Sequence, residues 1–144
     1  MLRGIDPLLT PDLLKILREM GHGDEIAVVD ANYPAATDAR RLVRLPGADA
    51  TEALRAILSL LPLDTYVDCA AHCMAVVGDP DRTEPIMVEF QILIDEIGGA
   101  KTKLGRIERF AFYDRVKTAF AVVSTSERRL YGNIILKKGI IPPT

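Results

Sequence analysis

Apolar side chains recur at helical spacing in three stretches of the chain and fill short unbroken runs in several others. After Thr10 and Pro11, residues Leu13, Leu14, Ile16, Leu17 and Met20 fall three and four apart. Threonine caps first-turn N–H groups, and proline at the first helical position has no N–H to lose, so the pattern predicts a helix from Thr10 that Gly21 or Gly23 stops. Glu25-Ile26-Ala27-Val28-Val29-Asp30 is a continuous apolar run, the signature of a strand covered on both faces, and Asp30-Ala31-Asn32-Tyr33-Pro34 reads as the loop at its C-terminal end.

A second helix is predicted from Asp49. Asp49 and Glu52 have capping-box spacing, Leu54, Ile57, Leu58 and Leu61 carry the apolar face, and Pro62 ends it. Met74 to Val77 reads as another buried strand closed by Gly78, with a loop at Asp79-Pro80-Asp81. From Pro85 to Ile97 the apolar positions Ile86, Val88, Phe90, Ile92, Leu93 and Ile97 fit a helix imperfectly, and Gly98-Gly99 stops it. The last third holds an apolar piece at Ile107 to Phe110, a short helical piece around Tyr113 to Lys117, and strands at Phe120 to Val123 and Asn133 to Leu136. Helices interleaved with buried strands predict an α/β fold. No repeat or linker divides the chain, so one domain is expected over residues 1–144.

Composition agrees with this pattern. A chain of 144 residues buries roughly two-thirds of its unfolded surface on folding, so its core needs neither disulfide nor metal. Lys+Arg 18 against Asp+Glu 20 leaves a net charge of −2 with no basic block, which argues against a nucleic-acid partner. The longest run without Asp, Glu, Lys or Arg is ten residues, Cys69 to Gly78, short of the roughly 20 that cross a bilayer. No membrane partner is expected. The N-terminal Met1-Leu2-Arg3-Gly4-Ile5-Asp6-Pro7 lacks a signal-peptide core. Nothing forces Cys69 and Cys73 to pair, so the expected location is the reducing cytoplasm.

Candidate chemistry sits at the ends of these elements. Gly21-His22-Gly23 follows a helix and precedes a strand, the reverse of a dinucleotide-binding turn, and the third glycine position holds Ile26. His22 is either an exposed turn histidine or a proton-transfer group titrating near neutrality. Asp30 ends an apolar strand, where α/β folds bind ligands. It either closes an Asx-turn or holds a ligand hydroxyl. In Cys69-Ala70-Ala71-His72-Cys73, strand geometry puts the cysteines on one face and His72 on the other, whereas a helix gathers all three. Buried structural cysteines are the simpler reading, and no metal is expected. Arg106 to Arg115 and Tyr131-Gly132-Asn133 are rich in the planar donors, phenols and amides that orient sugar hydroxyls. The same segments also suit a solvated helix–strand junction and a hairpin turn. Lys137-Lys138 reads as a surface pair.

Five segments taken together carry a resemblance: Met20-Gly21-His22-Gly23-Asp24-Glu25, Asp30-Ala31-Asn32-Tyr33-Pro34, Leu61-Pro62-Leu63-Asp64-Thr65-Tyr66, Arg109-Phe110-Ala111-Phe112-Tyr113, and Tyr131-Gly132-Asn133 running on through Ile134, Ile135, Leu136, Lys137 and Lys138 to Gly139. The chain resembles the L-fucose mutarotase family, a branch of the superfamily that includes D-ribose pyranase. The stretch from Cys69 to Leu104 matches poorly. The resemblance implies a Rossmann-like α/β/α three-layer domain and a cofactor-free isomerase that interconverts the anomers of L-fucose. It implies acid–base catalysis by His22, with Tyr113 as a second catalytic group, and sugar binding by Asp30, Asp64, Arg109, Tyr131 and Asn133. It further implies a homo-oligomer, the family including ring-like decamers, with the site near a subunit interface. A mutarotase of another monosaccharide such as ribose, or a sugar-binding protein without turnover, are the alternatives. Fucose carries a methyl on C5, so an apolar wall is expected, with Phe112 or Tyr33 as candidates.

Overall fold

The computed structural model describes every residue from Met1 to Thr144. Helix α1 spans Pro11–Glu19, and Leu13 N–H donates to the Thr10 hydroxyl oxygen at 3.2 Å. Strand β1 (Glu25–Val29) follows, then the short α2 (Ala35–Asp38) and β2 (Leu42–Leu45). Helix α3 (Ala50–Leu58) opens with the expected reciprocal pair: Glu52 N–H donates to Asp49 Oδ1 at 2.8 Å, and Asp49 N–H to Glu52 Oε2 at 2.9 Å. Next come β3 (Ala71–Met74), α4 (Pro85–Ile97), β4 (Gly105–Ile107), α5 (Arg109–Thr118), β5 (Ala121–Thr125) and β6 (Ile134–Lys137).

The six strands form one sheet in the order β2-β5-β1-β6-β3-β4. β1 pairs parallel with β5, β2 with β5, and β3 with β4. β6 alone is reversed, antiparallel to both β1 and β3. Alternation divides each strand between two cores. Ile26 and Val28 of β1, Ala121 and Val123 of β5, and Ile134 and Leu136 of β6 face a large core shared with α1, α3 and α4. Ala27, Val29, Val122 and Ile135 face a smaller core with Phe112 and Val116 of α5 and Ala35 of α2. The result is the three-layer α/β/α arrangement, with continuous apolar strands because both faces are covered.

Several elements depart from the sequence reading. The third strand is Ala71–Met74, not Met74–Val77. Residues 71–73 hold the ladder to β6, whereas Val77 lies beyond the sheet and is exposed. Its apolarity belongs to a rim. The piece at Ile107 to Phe110 splits, because Glu108 accepts from Phe110 N–H at 3.0 Å and Ala111 N–H at 3.1 Å and starts α5 at Arg109, about one turn before Tyr113. β2 was not legible: it is an edge strand with one covered side and arginines at 40, 41 and 44. The imperfect periodicity of α4 comes from Val88 and Ile92, two apolar residues one turn apart on the exposed side.

Lys138 is not a surface residue. Its Nζ donates to the carbonyls of Leu17, at 2.8 Å, and Met20, closing the end of α1. Cations are favoured there because terminal carbonyls concentrate negative partial charge. Burial pushes the Lys138 ammonium pKa down from its usual range. Lys138→Met should therefore destabilise the protein by about 1–3 kcal/mol through two unpaired carbonyls, measured as a fall in the urea midpoint at constant slope. A loss below about 0.5 kcal/mol would return Lys138 to the surface class.

Candidate functional site

The reversal of β6 sets the chemistry at the end of β1. Because β6 enters the sheet where β1 leaves it, Asn133 meets Asp30 across 103 residues of sequence. Asp30 N–H donates to Asn133 Oδ1 at 2.8 Å, and Asn133 Nδ2 donates to Asp30 Oδ2 at 3.0 Å. Asn32 N–H donates to Asp30 Oδ1 at 2.9 Å, so the Asx-turn reading of Asp30 holds. Asp30 also lines a cavity at the end of β1, where its carboxylate can accept from a ligand hydroxyl. Both side chains are buried. Burial pushes the Asp30 pKa up, opposed by the hydrogen bonds from Asn32 and Asn133.

The cavity has a volume of about 180 Å³, small enough to select one small polar molecule over a drug-sized one. Asp30, Asn133, Tyr131, Arg109 and Tyr113 give it polar groups, and Tyr33, Met74 and Val77 give it an apolar side. This is the carboxyl end of the parallel strands, where open α/β sheets bind ligands. The Arg109 guanidinium lies 5.6 Å from the centre of the Tyr113 ring, one turn along α5. Tyr33 packs its ring 5.3 Å from that of Tyr113 and donates its hydroxyl to the buried Asp38 at 3.1 Å. That bond and burial raise the Tyr33 phenol pKa.

Tyr131 has φ 61°, a left-handed backbone that costs a non-glycine residue about 1 kcal/mol or more. In that conformation its phenol oxygen accepts from Val77 N–H at 3.1 Å, leaving the hydroxyl proton free to donate. Gly132 beside it has no room for a side chain: a Cβ would stand 2.6 Å from Glu127 Cγ. Phe112, one candidate for the apolar wall, is fully buried in the smaller core and does not reach the cavity. Tyr33 does.

His22 and Asp64 lie elsewhere. His22 turns into β1 at its opposite end, and the five residues of β1 separate that turn from Asp30 by about 16 Å at a strand's rise. His22 Nε2 is 3.0 Å from Asp64 Oδ1. The His22 side chain is 45% exposed and that of Asp64 only 4%. Tyr66 N–H donates to the same oxygen at 3.0 Å, and the Tyr66 ring lies 5.5 Å from the imidazole. Hydrogen bonds from Tyr66 N–H and His22 hold the Asp64 carboxyl below its usual range. An ionised acceptor at Nε2 places the proton of a neutral imidazole there and leaves Nδ1 as the free base. Gly139 permits this contact, since a Cβ there would stand 2.5 Å from Leu63 O. One chain therefore carries two candidate half-sites at opposite ends of β1, and the proposed residues do not converge within it.

Cys69, His72 and Cys73 do not form a ligand set either. Cys73 is buried in the larger core. Cys69 Sγ and the His72 ring both stand beside Gly105, and Cys69 donates to Lys103 O at 2.9 Å. Cys69 precedes the strand, so strand alternation does not extend to it. The sequence reading also missed Asn32, Met74, Val77 and Leu130 in the cavity wall and Tyr66 beside His22. Adjacency to Tyr131 was a signal for Leu130, and the segment shared with Asp64 was one for Tyr66.

Comparison with known proteins covers nearly the full length. The L-fucose mutarotase of Actinobacillus pleuropneumoniae serotype 5b is 42% identical over 142 residues, spanning 99% of this chain and 99% of that protein. The human fucose mutarotase is 44% identical, spanning 97% of this chain and 94% of its own. The crystal structure of the fucose mutarotase from Streptococcus pneumoniae in complex with L-fucose superposes with a TM-score of 0.91 at 45% identity, covering 98% of this chain and 100% of that one. Residues 3–141 match the model of the RbsD / FucU transport protein family. Matched over nearly its whole length in both sequence and fold, the chain belongs to the RbsD / FucU family.

Proposed function

We propose that this protein is an L-fucose mutarotase, a cofactor-independent isomerase formed by a single domain over residues 1–144. The observation that carries this reading is the Asp30–Asn133 pair at the floor of a cavity ringed by Tyr131, Arg109 and Tyr113, in a chain aligned end to end with fucose mutarotases. Such a floor suits a polyol. Asp30 accepts from hydroxyls, Arg109 donates, and the Asn133 amide and Tyr131 phenol fix orientation. Tyr33, Met74 and Val77 supply the apolar wall that the fucose methyl group calls for.

Mutarotation needs two proton movements and no redox step. A general acid protonates the ring oxygen while a base removes the anomeric hydroxyl proton. The C1–O5 bond breaks to the open aldehyde, C1 rotates, and the steps run backwards on the other face of the carbonyl. Positioned acid–base groups supply about 10²–10⁴-fold in rate. His22, oriented by Asp64 as a base is oriented by the third member of a triad, serves one end, and Tyr113 the other.

Because His22 stands at the opposite end of β1 from the cavity, the reading requires His22 from a second copy to close it. A head-to-tail contact joins unlike ends and closes as a ring when its rotation permits, which is the ring-like assembly the family resemblance implies. Both ends expose apolar side chains suited to such a contact: Val77, Leu130 and Phe110 at the cavity end, and Tyr66 beside His22. The free thiols of Cys69 and Cys73 are compatible with a reducing cytoplasm.

His22→Ala should fold normally, since the residue lies in an exposed turn, and should slow L-fucose anomer exchange by roughly 10²-fold or more in saturation-transfer NMR. Near-normal exchange would remove His22 from the mechanism, and faster exchange of D-ribose than of L-fucose in the wild type would reassign the sugar. Mixing His22→Ala with Asn133→Ala protein under conditions of subunit exchange should restore activity, because some cavities then gain both native halves. Light scattering should give a mass several times 15.8 kDa. A fully active monomer, or no recovery on mixing, would sink the shared site. EDTA and Cys69→Ser should leave exchange unchanged, and zinc-restorable loss would overturn the cofactor-free reading.

A further inference from the structure

The segment from Ser126 to Asn133 carries Tyr131 and Asn133 over the end of β1, and one buried acid anchors it. The Glu127 side chain is 4% exposed, and its carboxylate accepts four hydrogen bonds. Oε1 takes Arg129 N–H at 2.9 Å and Arg129 Nε at 3.0 Å. Oε2 takes Arg129 Nη2 at 2.9 Å and Ala50 N–H at 3.3 Å. Ala50 is the first residue of α3, where free N–H groups and the helix dipole favour an anion. These contacts lower the Glu127 pKa to about 2, with the Arg129 bonds the largest cause. Arg129 in turn donates Nη1 to Glu89 of α4 at 2.8 Å, so the loop is tied to two helices on the larger-core side.

Glu127 also touches the chain beside each partner of the Asp30–Asn133 pair. Its carbonyl accepts from Ala31 N–H at 2.9 Å, fixing the residue after Asp30. Its N–H donates to the Thr125 hydroxyl oxygen at 3.2 Å, and that hydroxyl donates to Val29 O at 2.8 Å, just before Asp30. On the other side its Cγ fills the space where a Gly132 side chain would stand, between the left-handed Tyr131 and Asn133. Glu127 and Arg129 do not line the cavity themselves.

We propose that Glu127, braced by Arg129, is a positioning residue of the sugar site: it holds Tyr131 and Asn133 on one side and Asp30 on the other at the separation a monosaccharide's hydroxyls require. This rests on the reading that the cavity takes a monosaccharide. In Glu127→Gln the shape is kept, but an amide N–H₂ replaces one acceptor oxygen and faces donors. The guanidinium fork loses its bidentate partner, and Tyr131 loses the brace that keeps it in a strained backbone. The floor then loosens while His22 and Asp64, at the other end of β1, stay as they are.

The test is a double-mutant cycle on L-fucose exchange with Glu127→Gln, Asn133→Ala and the pair. Glu127→Gln alone should lower kcat/KM by roughly tenfold or more, mostly through KM, and should change it by less than about twofold when Asn133 is already alanine. The same factor in both backgrounds, or an unchanged KM, would mean that Glu127 only stabilises the fold and would overturn the proposal. If Glu127→Gln does not fold, Arg129→Met enters the same cycle with the same two outcomes. A wild type that fails to exchange L-fucose anomers would instead remove the proposed function. The positioning role is then read from the backbone amides of Tyr131, Gly132 and Asn133 in Glu127→Gln. Millisecond exchange broadening confined to them supports it, and sharp signals as in the wild type overturn it.

Discussion

A strand reversed in the middle of a parallel sheet must enter where its neighbours leave and leave where they enter. β6 obeys this constraint between β1 and β3, and both half-sites hang on it. Its first end brings Asn133 to Asp30. Its last end brings Lys137 alongside Asp64, whose N–H donates to Lys137 O at 3.0 Å, and Gly139 against Leu63. Lys138, next in line, seals α1 just before the His22 turn. The antiparallel ladder therefore serves as a ruler between the two halves: its register, Ala27 opposite Ile135 and Val28 opposite Ile134, sets where each one stands.

The two aspartates illustrate how environment divides one residue type between roles. Asp30 is buried among apolar walls, and desolvation raises its pKa against the hydrogen bonds it accepts. Asp64 accepts from Tyr66 N–H and from His22, and its pKa falls. A carboxylate held ionised beside an imidazole fixes the orientation of the ring through the Nε2 hydrogen bond. A desolvated one at a cavity floor is primed to exchange protein hydrogen bonds for those of a ligand. Environments that push titratable groups apart are the usual way one site separates its acid, base and binding functions.

Conformational strain is concentrated where the ligand would sit. Tyr131 is the single non-glycine residue with positive φ, and it lies between the buried acid Glu127 and the buried amide Asn133. Strain of this kind persists only when its surroundings over-determine it. Here they do so through the Ala50 N–H of α3, the Glu89 carboxylate of α4, the Thr125 hydroxyl of β5 and the backbone around the end of β1.

Local sequence was enough to determine α1, β1, α3, α4 and the two-sided burial of the strands, because capping chemistry, proline, glycine and hydrophobic period act within a few residues. It also marked Asp30, Arg109, Tyr113, Tyr131 and Asn133, which do share one cavity. It did not reveal β2, whose one covered side leaves a weak pattern, or the true span of β3, whose apolar run continues past the sheet into the cavity rim. Lys138 was illegible because its partners are backbone carbonyls at the remote end of α1, and Glu127 because its burial depends on packing against the remote N-terminus of α3. The separation of His22 from Asp30 is likewise a tertiary fact. Their eight-residue spacing is compatible with one site until a five-residue strand stretches straight between them. Periodicity and capping are read along the chain, but which end of the sheet a side chain reaches depends on strand direction, and only the paired sheet decides that.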